Sequence, residues 1–138
     1  MSTLVRFGIS LDKELLDRFD TFICAQNYSN RSEAIRDLIR ESLVRDEWIQ
    51  EEEIAGTITL VYDHHQRELV NTLIDIQHDF HQLIISTQHI HLDHHNCMEI
   101  VVVKGKPAEI KELSQQLKAK RGVKHCSLGM ATTGKELK

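Results

Sequence analysis

The first 46 residues carry one strand pattern followed by two helix patterns, and this combination constrains the fold more than any other feature. Residues 4–11 alternate, which predicts a short strand with one apolar face. That face consists of Val5, Phe7, Ile9 and Leu11. A lone strand leaves its backbone hydrogen-bonding groups without partners, and so short a segment cannot enclose a core. We therefore predict an obligate dimer, in which two copies form an antiparallel two-stranded ribbon over four helices.

Two helices follow the strand, and each has a recognisable start. Asp12 is placed to cap the first helix, in which apolar residues recur at helical spacing over 15–23. Asn30, followed by Glu33, resembles a capping box and begins a second helix that runs to about Asp46. These elements together predict a β-α-α domain that ends with the second helix.

A second domain is predicted from residue 57, after a polar and acidic segment, 47–56, that we interpret as a solvated linker. Its elements follow the order β-α-β-β-α-β, which is the split, ferredoxin-like arrangement. The predicted strands cover residues 57–62, 80–92, 97–104 and 123–130, and the helices cover 67–79 and a stretch from Pro107 that stops at Gly122. The fold class is therefore α+β, with domains at 1–46 and 57–131 and a frayed polar tail at 132–138.

Composition excludes several classes of protein. With 41% hydrophobic and 28% charged residues, the chain is neither disordered nor membrane-spanning, because no window approaches the ~20 apolar residues of a membrane helix. The N-terminus lacks the features of a signal peptide, so we expect a cytoplasmic protein, and the three cysteines suggest no disulfide framework. The net charge of −4 gives no indication of nucleic-acid binding. Histidine is the anomaly, because eight of the nine lie between His64 and His95.

Three residues in this histidine-rich region have the spacing of a metal site. His89 and His91 lie two apart on a predicted strand, so both imidazoles share one face, about 7 Å apart along the chain. Cys97 begins the next strand, across a turn short enough to return it beside His91. Two imidazoles and a thiolate suit Zn, Cu, Ni or Co and argue against Mg or Ca. We therefore favour a transition-metal site over the alternative of surface histidines.

Other residues near this site have more than one interpretation. His78, at the end of the predicted helix 67–79, could supply a fourth ligand to its own chain or to a neighbour. Glu99 could hold a ligand imidazole through its second nitrogen, or it could be an exposed strand carboxylate. His64 and His65 could form a weak second metal site, although we expect a solvated turn.

The exposed face of the first strand offers a candidate nucleic-acid site. Arg6, Gly8 and Ser10 lie on that face, and a two-stranded ribbon fits the major groove, where strand side chains read base edges. The amides at the start of the second helix, near residues 30–32, could bind a phosphate. The alternative is a dimerisation module with no role in nucleic-acid binding.

Both halves of the chain resemble known proteins. Residues 6–11 and 30–37 resemble the ribbon-helix-helix repressors, whereas Gln77-His78, residues 88–100 and Lys104-Gly105 are similar to the nickel-responsive regulators of the NikR family. The resemblance covers nearly the whole chain. It implies a transcription regulator that is not an enzyme, that binds palindromic operator DNA and that does not bind membranes. It also implies a homotetramer, arranged as a dimer of dimers, in which two ribbon-helix-helix dimers flank a central tetramer of ACT-like domains.

The resemblance assigns the nickel ligands. It implies one square-planar Ni(II) ion per subunit, held by His89, His91 and Cys97 of one chain and by His78 of another.

The resemblance also assigns residues in the first domain. It implies DNA contacts from Arg6, Gly8 and Ser10, but a hydroxyl residue is usual at the middle position, so one side-chain base contact should be missing here. Glu33 and Asp37 match carboxylates that hold a second, hard cation in some members of the family.

We expect the protein to repress nickel-uptake genes when nickel is bound. Nickel would fix helix 67–79 through His78, couple the dimers and favour a DNA-competent arrangement, and DNA would reciprocally tighten nickel binding. The rival functions are a nickel storage or trafficking protein, a metalloenzyme with Glu99 as its acid or base and, more distantly, an antitoxin. Storage predicts many weakly bound ions per chain, whereas a sensor predicts one tightly bound ion.

Overall fold

The computed structural model describes residues 3–137, which form two compact units. The first unit contains the described residues up to Leu43, and the second is Val44–Glu136. Among the described residues, no helix combines the length and the apolar character needed to cross a bilayer.

The N-terminal segment is the place where the single chain differs most from the predicted elements. Residues 3–12 have no regular secondary structure, and the side chains of the predicted apolar face are exposed, Phe7 by 70% and Ile9 by 54%. A strand exists only through hydrogen bonds to a neighbouring strand, and the prediction placed that neighbour on a second copy. The predicted strand is therefore absent from the isolated chain.

Both predicted helix starts of the first unit are present. Helix α1 spans Lys13–Ala25, and the Asp12 carboxylate accepts a hydrogen bond of 2.9 Å from the Glu14 amide. The side chain of Asn30 accepts a hydrogen bond of 2.9 Å from the Glu33 amide at the start of the next helix. These bonds satisfy amides that the helix itself leaves without partners.

Regular elements extend into the predicted linker from both sides. Helix α2 spans Arg31–Ile49 rather than ending near Asp46, and strand β1 spans Ile54–Asp63. Trp48 is 2% exposed, and its indole Nε1 donates a hydrogen bond of 2.8 Å to the carbonyl of Ala131. The segment without regular structure is shorter than expected because Trp48 and Ile54 belong to the core, although acidic residues lie beside them in the sequence.

The second unit contains a four-stranded antiparallel sheet with two helices. The remaining elements are α3 at Arg67–Asp79, β2 at Ile84–His91, β3 at Asn96–Gly105, α4 at Pro107–Lys118 and β4 at Val123–Met130. The strand order is β2-β3-β1-β4, so β1 and β3 are central and β2 and β4 lie at the edges. The β-α-β-β-α-β order confirms the predicted α+β arrangement. Helix α4 ends before Gly122, whose φ of +102° turns the chain into β4 instead of stopping the helix.

One face of the sheet is packed against α3 and α4 and forms the core. Along β1, buried and half-buried residues alternate, as expected for a strand with one covered face. The innermost side chains, each with at most 2% of its area exposed, are Trp48, Ile54, Ile58, Leu60, Tyr62, Leu73, Cys97, Val101, Val103, Ile110, Leu113 and Leu117. This core supports β2 and β3, which carry the candidate metal ligands His89, His91 and Cys97.

Candidate metal centre and nucleic-acid interface

Strands β2 and β3 bring three of the predicted nickel ligands to one end of the sheet. In the antiparallel register His91 lies opposite Cys97, and His89 lies opposite Glu99. Residues directly opposite each other project from the same face, so these four side chains share the face that the helices cover. Cys97 is 2% exposed, whereas the two histidines are exposed because β2 is an edge strand.

Glu99 is a buried carboxylate beside these residues. It is 3% exposed and accepts hydrogen bonds from the Tyr62 hydroxyl at 2.8 Å and from Nε2 of Gln77 at 3.0 Å. Nε2 of His89 lies 3.5 Å from Oε1 of Glu99. The alternative of an exposed strand carboxylate is therefore wrong.

The hydrogen bonds of Tyr62 and Gln77 to Glu99 were not predicted from the sequence. A buried tyrosine at the end of a strand needs a partner for its hydroxyl, and this was the signal available for Tyr62. Gln77 lies at the end of α3, and no local pattern shows that its amide reaches a carboxylate on β3.

Burial controls protonation at this end of the sheet. Burial raises the pKa of the Cys97 thiol, and the charges of Glu99 and Asp63 raise it further, although a hydrogen bond with Tyr62 lowers it. Burial and the hydrogen bond to Glu99 also raise the pKa of the Tyr62 hydroxyl, which keeps it a donor. A metal ion that binds the sulfur must displace the thiol proton. The donor types, two imidazoles and one thiol, fit nickel.

The donor atoms of His89, His91 and Cys97 are not gathered into one cluster in the single chain. Within residues 3–137, the one group of at least three metal-ligating side chains with all donor atoms within 4.8 Å of one another is Asp63, His65 and His95. Binding of a common ion by His89, His91 and Cys97 would therefore require their donor atoms to move closer together.

His78 lies at the exposed C-terminal end of α3. Its ring centroid is 6.0 Å from that of His81, and Nδ1 of His81 is 3.0 Å from the His78 carbonyl oxygen. Its predicted role as a ligand to the site of another chain stays a prediction.

The predicted DNA-contacting residues are all accessible. Arg6, Gly8 and Ser10 lie in the exposed segment 3–12, and a Cβ added at Gly8 would meet no atom within 4 Å. Neither crowding nor a left-handed backbone therefore requires glycine at this position.

The start of α2, predicted as a phosphate-binding region, is tied to α1. Arg31 makes a bidentate ion pair with Asp20, through bonds of 2.9 and 2.8 Å, and this pairing lowers the pKa of the Asp20 carboxyl. The Arg31 side chain thus connects the two helices. A phosphate at the start of α2 would therefore be bound by backbone amides rather than by this guanidinium.

The residues predicted to hold a second cation line a shallow surface depression of about 260 Å³. In it, Asp37 accepts a hydrogen bond of 2.7 Å from the Tyr28 hydroxyl and lies 3.6 Å from a guanidinium nitrogen of Arg40. Glu33 lines the same depression. The role of Glu33 and Asp37 as cation ligands stays a prediction.

An extended segment followed by two helices, joined to a ferredoxin-like domain whose sheet brings imidazoles and a thiol together at one end, is typical of a metal-dependent DNA-binding protein. Family comparison agrees with this class. The model of the ribbon-helix-helix protein, copG family, matches residues 5–46, and the model of the NikR C terminal nickel binding domain matches residues 55–131.

Comparison with curated proteins extends the match to the whole chain. The chain is 62% identical over 134 residues to a protein named as a nickel-responsive regulator from Syntrophus aciditrophicus, covering 97% of this chain and 98% of that one. A similarly named protein from Chlorobium limicola is 57% identical, with 97% and 100% coverage, and one from Nitratidesulfovibrio vulgaris is 52% identical, with 99% of each chain covered. This chain therefore belongs to the NikR family of nickel-responsive transcription regulators, which are not enzymes.

A solved structure supports the fold of the second unit. An uncharacterized protein from Thermotoga maritima aligns with a TM-score of 0.51 at 18% identity, covering 56% of this chain and 95% of that one. This likeness concerns the fold alone.

Proposed function

We propose that this protein represses nickel-uptake genes by binding a palindromic operator when Ni(II) is bound. One ion per subunit would be held by His89, His91 and Cys97 of one chain and by His78 of another. The observation that carries the proposal is the β2–β3 register, which sets His91 opposite Cys97 in a domain of a nickel-binding family. In this arrangement the bonds from nickel to its four ligands would join two chains.

Glu99 is proposed to orient one ligand. Its carboxylate is held by Tyr62 and Gln77, and it lies 3.5 Å from Nε2 of His89. This pairing leaves Nδ1 of His89 for the metal. A carboxylate on the second ring nitrogen fixes the imidazole and increases its basicity, which strengthens a metal bond.

Nickel is proposed to act by linking chains. Because His78 ends α3, a bond from it to another chain's ion would tie that helix to a neighbouring subunit. Nickel would then bind the linked arrangement better than the unlinked one. Nickel would raise the affinity for operator DNA, and operator DNA would raise the affinity for nickel by the same factor, of order 5–150-fold.

A homotetramer, built as a dimer of dimers, is part of the proposal. Large apolar side chains remain exposed on the second unit: Ile74 by 56%, Ile85 by 61%, Leu92 by 49% and Met130 by 54%. Burying these residues against further copies would remove apolar area from water. We also place the protein in the cytoplasm, because a regulator must share a compartment with its operator.

Nickel storage or trafficking is the second candidate function, and one observation favours it. Four imidazole rings lie close together: the ring centroid of each is within 5.6 Å of that of at least one other. They belong to His64, His65, His94 and His95. A histidine-rich surface of this kind could bind several ions. Counting tightly bound ions per chain separates the candidates, because a storage protein would bind many ions weakly.

The decisive experiment is a DNA-binding assay with nickel and with a chelator, at one stated salt concentration. The probe is the promoter upstream of nickel-transporter genes, beside a scrambled control. We expect tight, sequence-specific binding only with nickel. His89→Ala should abolish nickel-dependent operator binding. His81→Ala, which changes an exposed histidine outside the ligand set, should retain it. Equal binding with nickel and with chelator would contradict the proposal.

A further inference from the structure

One short turn joins two of the proposed nickel ligands. His91 is the last residue of β2, Cys97 is the second residue of β3, and the register sets them opposite each other. Two backbone hydrogen bonds close the turn, because the amides of Leu92 and Asp93 donate to the Asn96 carbonyl at 3.0 and 3.3 Å. The spacing of the two ligands therefore depends on the conformation of this turn.

A carboxylate organises the inside of the turn. Asp93 accepts hydrogen bonds from the backbone amides of His95 at 2.8 Å and of Asn96 at 2.7 Å. The side-chain nitrogen of Asn96 donates to the same carboxylate, at 3.1 Å to one oxygen and at 3.3 Å to the other. Since an ionised carboxylate only accepts hydrogen bonds, the Asn96 amide presents its nitrogen to Asp93 and leaves its oxygen for another partner.

A lysine from another strand binds that oxygen. Nζ of Lys124 donates a hydrogen bond of 2.6 Å to Oδ1 of Asn96. Lys124 belongs to β4, which is separated from β3 by β1. The Asn96 amide is therefore held at its oxygen by a cation and at its nitrogen by an anion, and both bonds favour the same orientation of the amide.

A β-bulge places Lys124 at this end of the sheet. Val61 of β1 lies opposite His125 of β4. The next residue, Tyr62, lies opposite Val123, so two steps along β4 match one step along β1 and Lys124 is the extra residue. Bulges redirect a side chain and occur often beside functional sites. The bulge is thus an observation, separate from the hydrogen bond, that favours a role for Lys124.

We infer that Lys124 is a positioning residue for nickel binding, which acts through Asn96 and Asp93 to fix the turn between His91 and Cys97. The inference rests on the proposed function, because it concerns two of the proposed ligands. A turn that is already fixed in the metal-free protein loses less conformational entropy when an ion binds. Loss of the Lys124 hydrogen bond should therefore weaken nickel binding without removing any ligand.

The sign of the effect separates this role from simple electrostatics. The ammonium group of Lys124 repels a divalent cation, so removing its charge alone would leave the nickel affinity unchanged or raise it. Lys124→Met keeps an unbranched side chain but lacks the hydrogen-bond donor. We expect its nickel affinity to fall about 3–10-fold, as for the loss of one exposed hydrogen bond.

The test is a competition titration of the full chain with Ni(II) against a chelator of known affinity. Lys111→Met, the same change at an exposed lysine of α4, is the matched control and should bind nickel as the wild type does. In an Asn96→Ala background, Lys124→Met should change the affinity by less than about 2-fold, because the partner of the lysine is already absent. Circular dichroism checks that each variant is folded.

Amide hydrogen exchange in the metal-free protein reports the turn directly. The amides of Asp93, His95 and Asn96 should exchange at least about 3-fold faster in Lys124→Met than in the wild type, because the turn opens more often. Lys111→Met should leave these exchange rates unchanged.

Four results would overturn the inference. They are an unchanged or higher nickel affinity in Lys124→Met, an equal loss in Lys111→Met, an equal loss in the Asn96→Ala background, and unchanged exchange of the turn amides. Absence of near-ultraviolet sulfur-to-nickel absorption in the nickel-loaded wild type would instead count against the proposed function, since that absorption reports an ion on Cys97. The two failures are therefore distinguishable.

Discussion

At the scale of single residues, Gly8 is the departure from the family pattern that is most readily tested. Gly8→Thr should leave the free energy of unfolding within about 0.5 kcal/mol of the wild type, because an added Cβ meets nothing within 4 Å. The new hydroxyl should add a base contact that changes operator preference by about 1–3 kcal/mol. Binding to a panel of operator variants measures the change.

Gly8→Ala is the control for that substitution. It adds the Cβ without the hydroxyl, so it should keep the wild-type preference among operators. Equal shifts in Gly8→Ala and Gly8→Thr would mean that backbone stiffening, rather than a new hydrogen bond, alters the DNA contact.

Glu99 is a buried carboxylate beside His89, one of the proposed nickel ligands. Glu99→Gln keeps the size of the side chain but removes the charge beside His89, so nickel affinity should fall about 10–100-fold. Operator binding at saturating nickel should remain near the wild-type level. A competition titration against a chelator of known affinity measures the loss.

The matched control for Glu99 is Glu109→Gln, which makes the same change at an exposed carboxylate in the first turn of α4. Its nickel affinity should equal that of the wild type. An unchanged affinity in Glu99→Gln would show that the buried carboxylate has a structural role only.

At the scale of elements, the end of α2 is an integral part of the second unit. The Trp48 ring lies against Gly56, where an added Cβ would be 3.1 Å from it, and its N–H bonds the carbonyl of Ala131 after β4. These contacts attach the last turn of the helix to β1 and to the residue that follows β4.

Replacing Trp48 should therefore destabilise the second unit. Trp48→Ala should cost about 3–5 kcal/mol through the cavity, and Trp48→Phe about 0.5–1.5 kcal/mol through loss of the hydrogen bond to the Ala131 carbonyl. Urea denaturation followed by circular dichroism measures both. Ile49→Ala, at a neighbouring residue that is 80% exposed, should change stability by no more than about 0.5 kcal/mol. Equal effects at both positions would contradict a specific role for the indole.

At the scale of the whole molecule, the first unit has too little core for an independent monomer. Its buried apolar residues are Ile23 and Ala34, whereas Val5, Phe7 and Leu15 are at least half exposed. Pairing with a second copy would cover these side chains and give residues 4–11 the hydrogen-bonding partners of a strand.

This deficit predicts the effect of a change in the N-terminal segment. Phe7→Ser should disrupt the ribbon and weaken operator binding at least about 100-fold, because two half-sites are no longer engaged together. Nickel binding should persist, since the proposed ligands lie in the second unit. Phe7→Leu, which keeps an apolar side chain at the same position, is the control and should bind DNA near the wild-type level. Retained operator affinity in Phe7→Ser would exclude the ribbon dimer as the DNA-binding form.

Local patterns in the sequence determined the order of the helices and strands from α1 to β4. The bounds of α3 and β4 match the predictions, as do the caps at Asp12 and Asn30, because periodicity and capping depend on residues within a few positions of one another. The family relationship was also readable from the sequence, since both of its motifs are continuous.

Tertiary structure alone decided which side chains are buried and which meet. Trp48 is in the core despite its acidic neighbours, and Glu99 is enclosed by Tyr62 and Gln77, which come from two other elements. Asp63, 32 residues from His95, joins it only because β1 pairs with β3. Such contacts depend on which strand lies beside which, and a one-residue change of register would send each side chain to the opposite face.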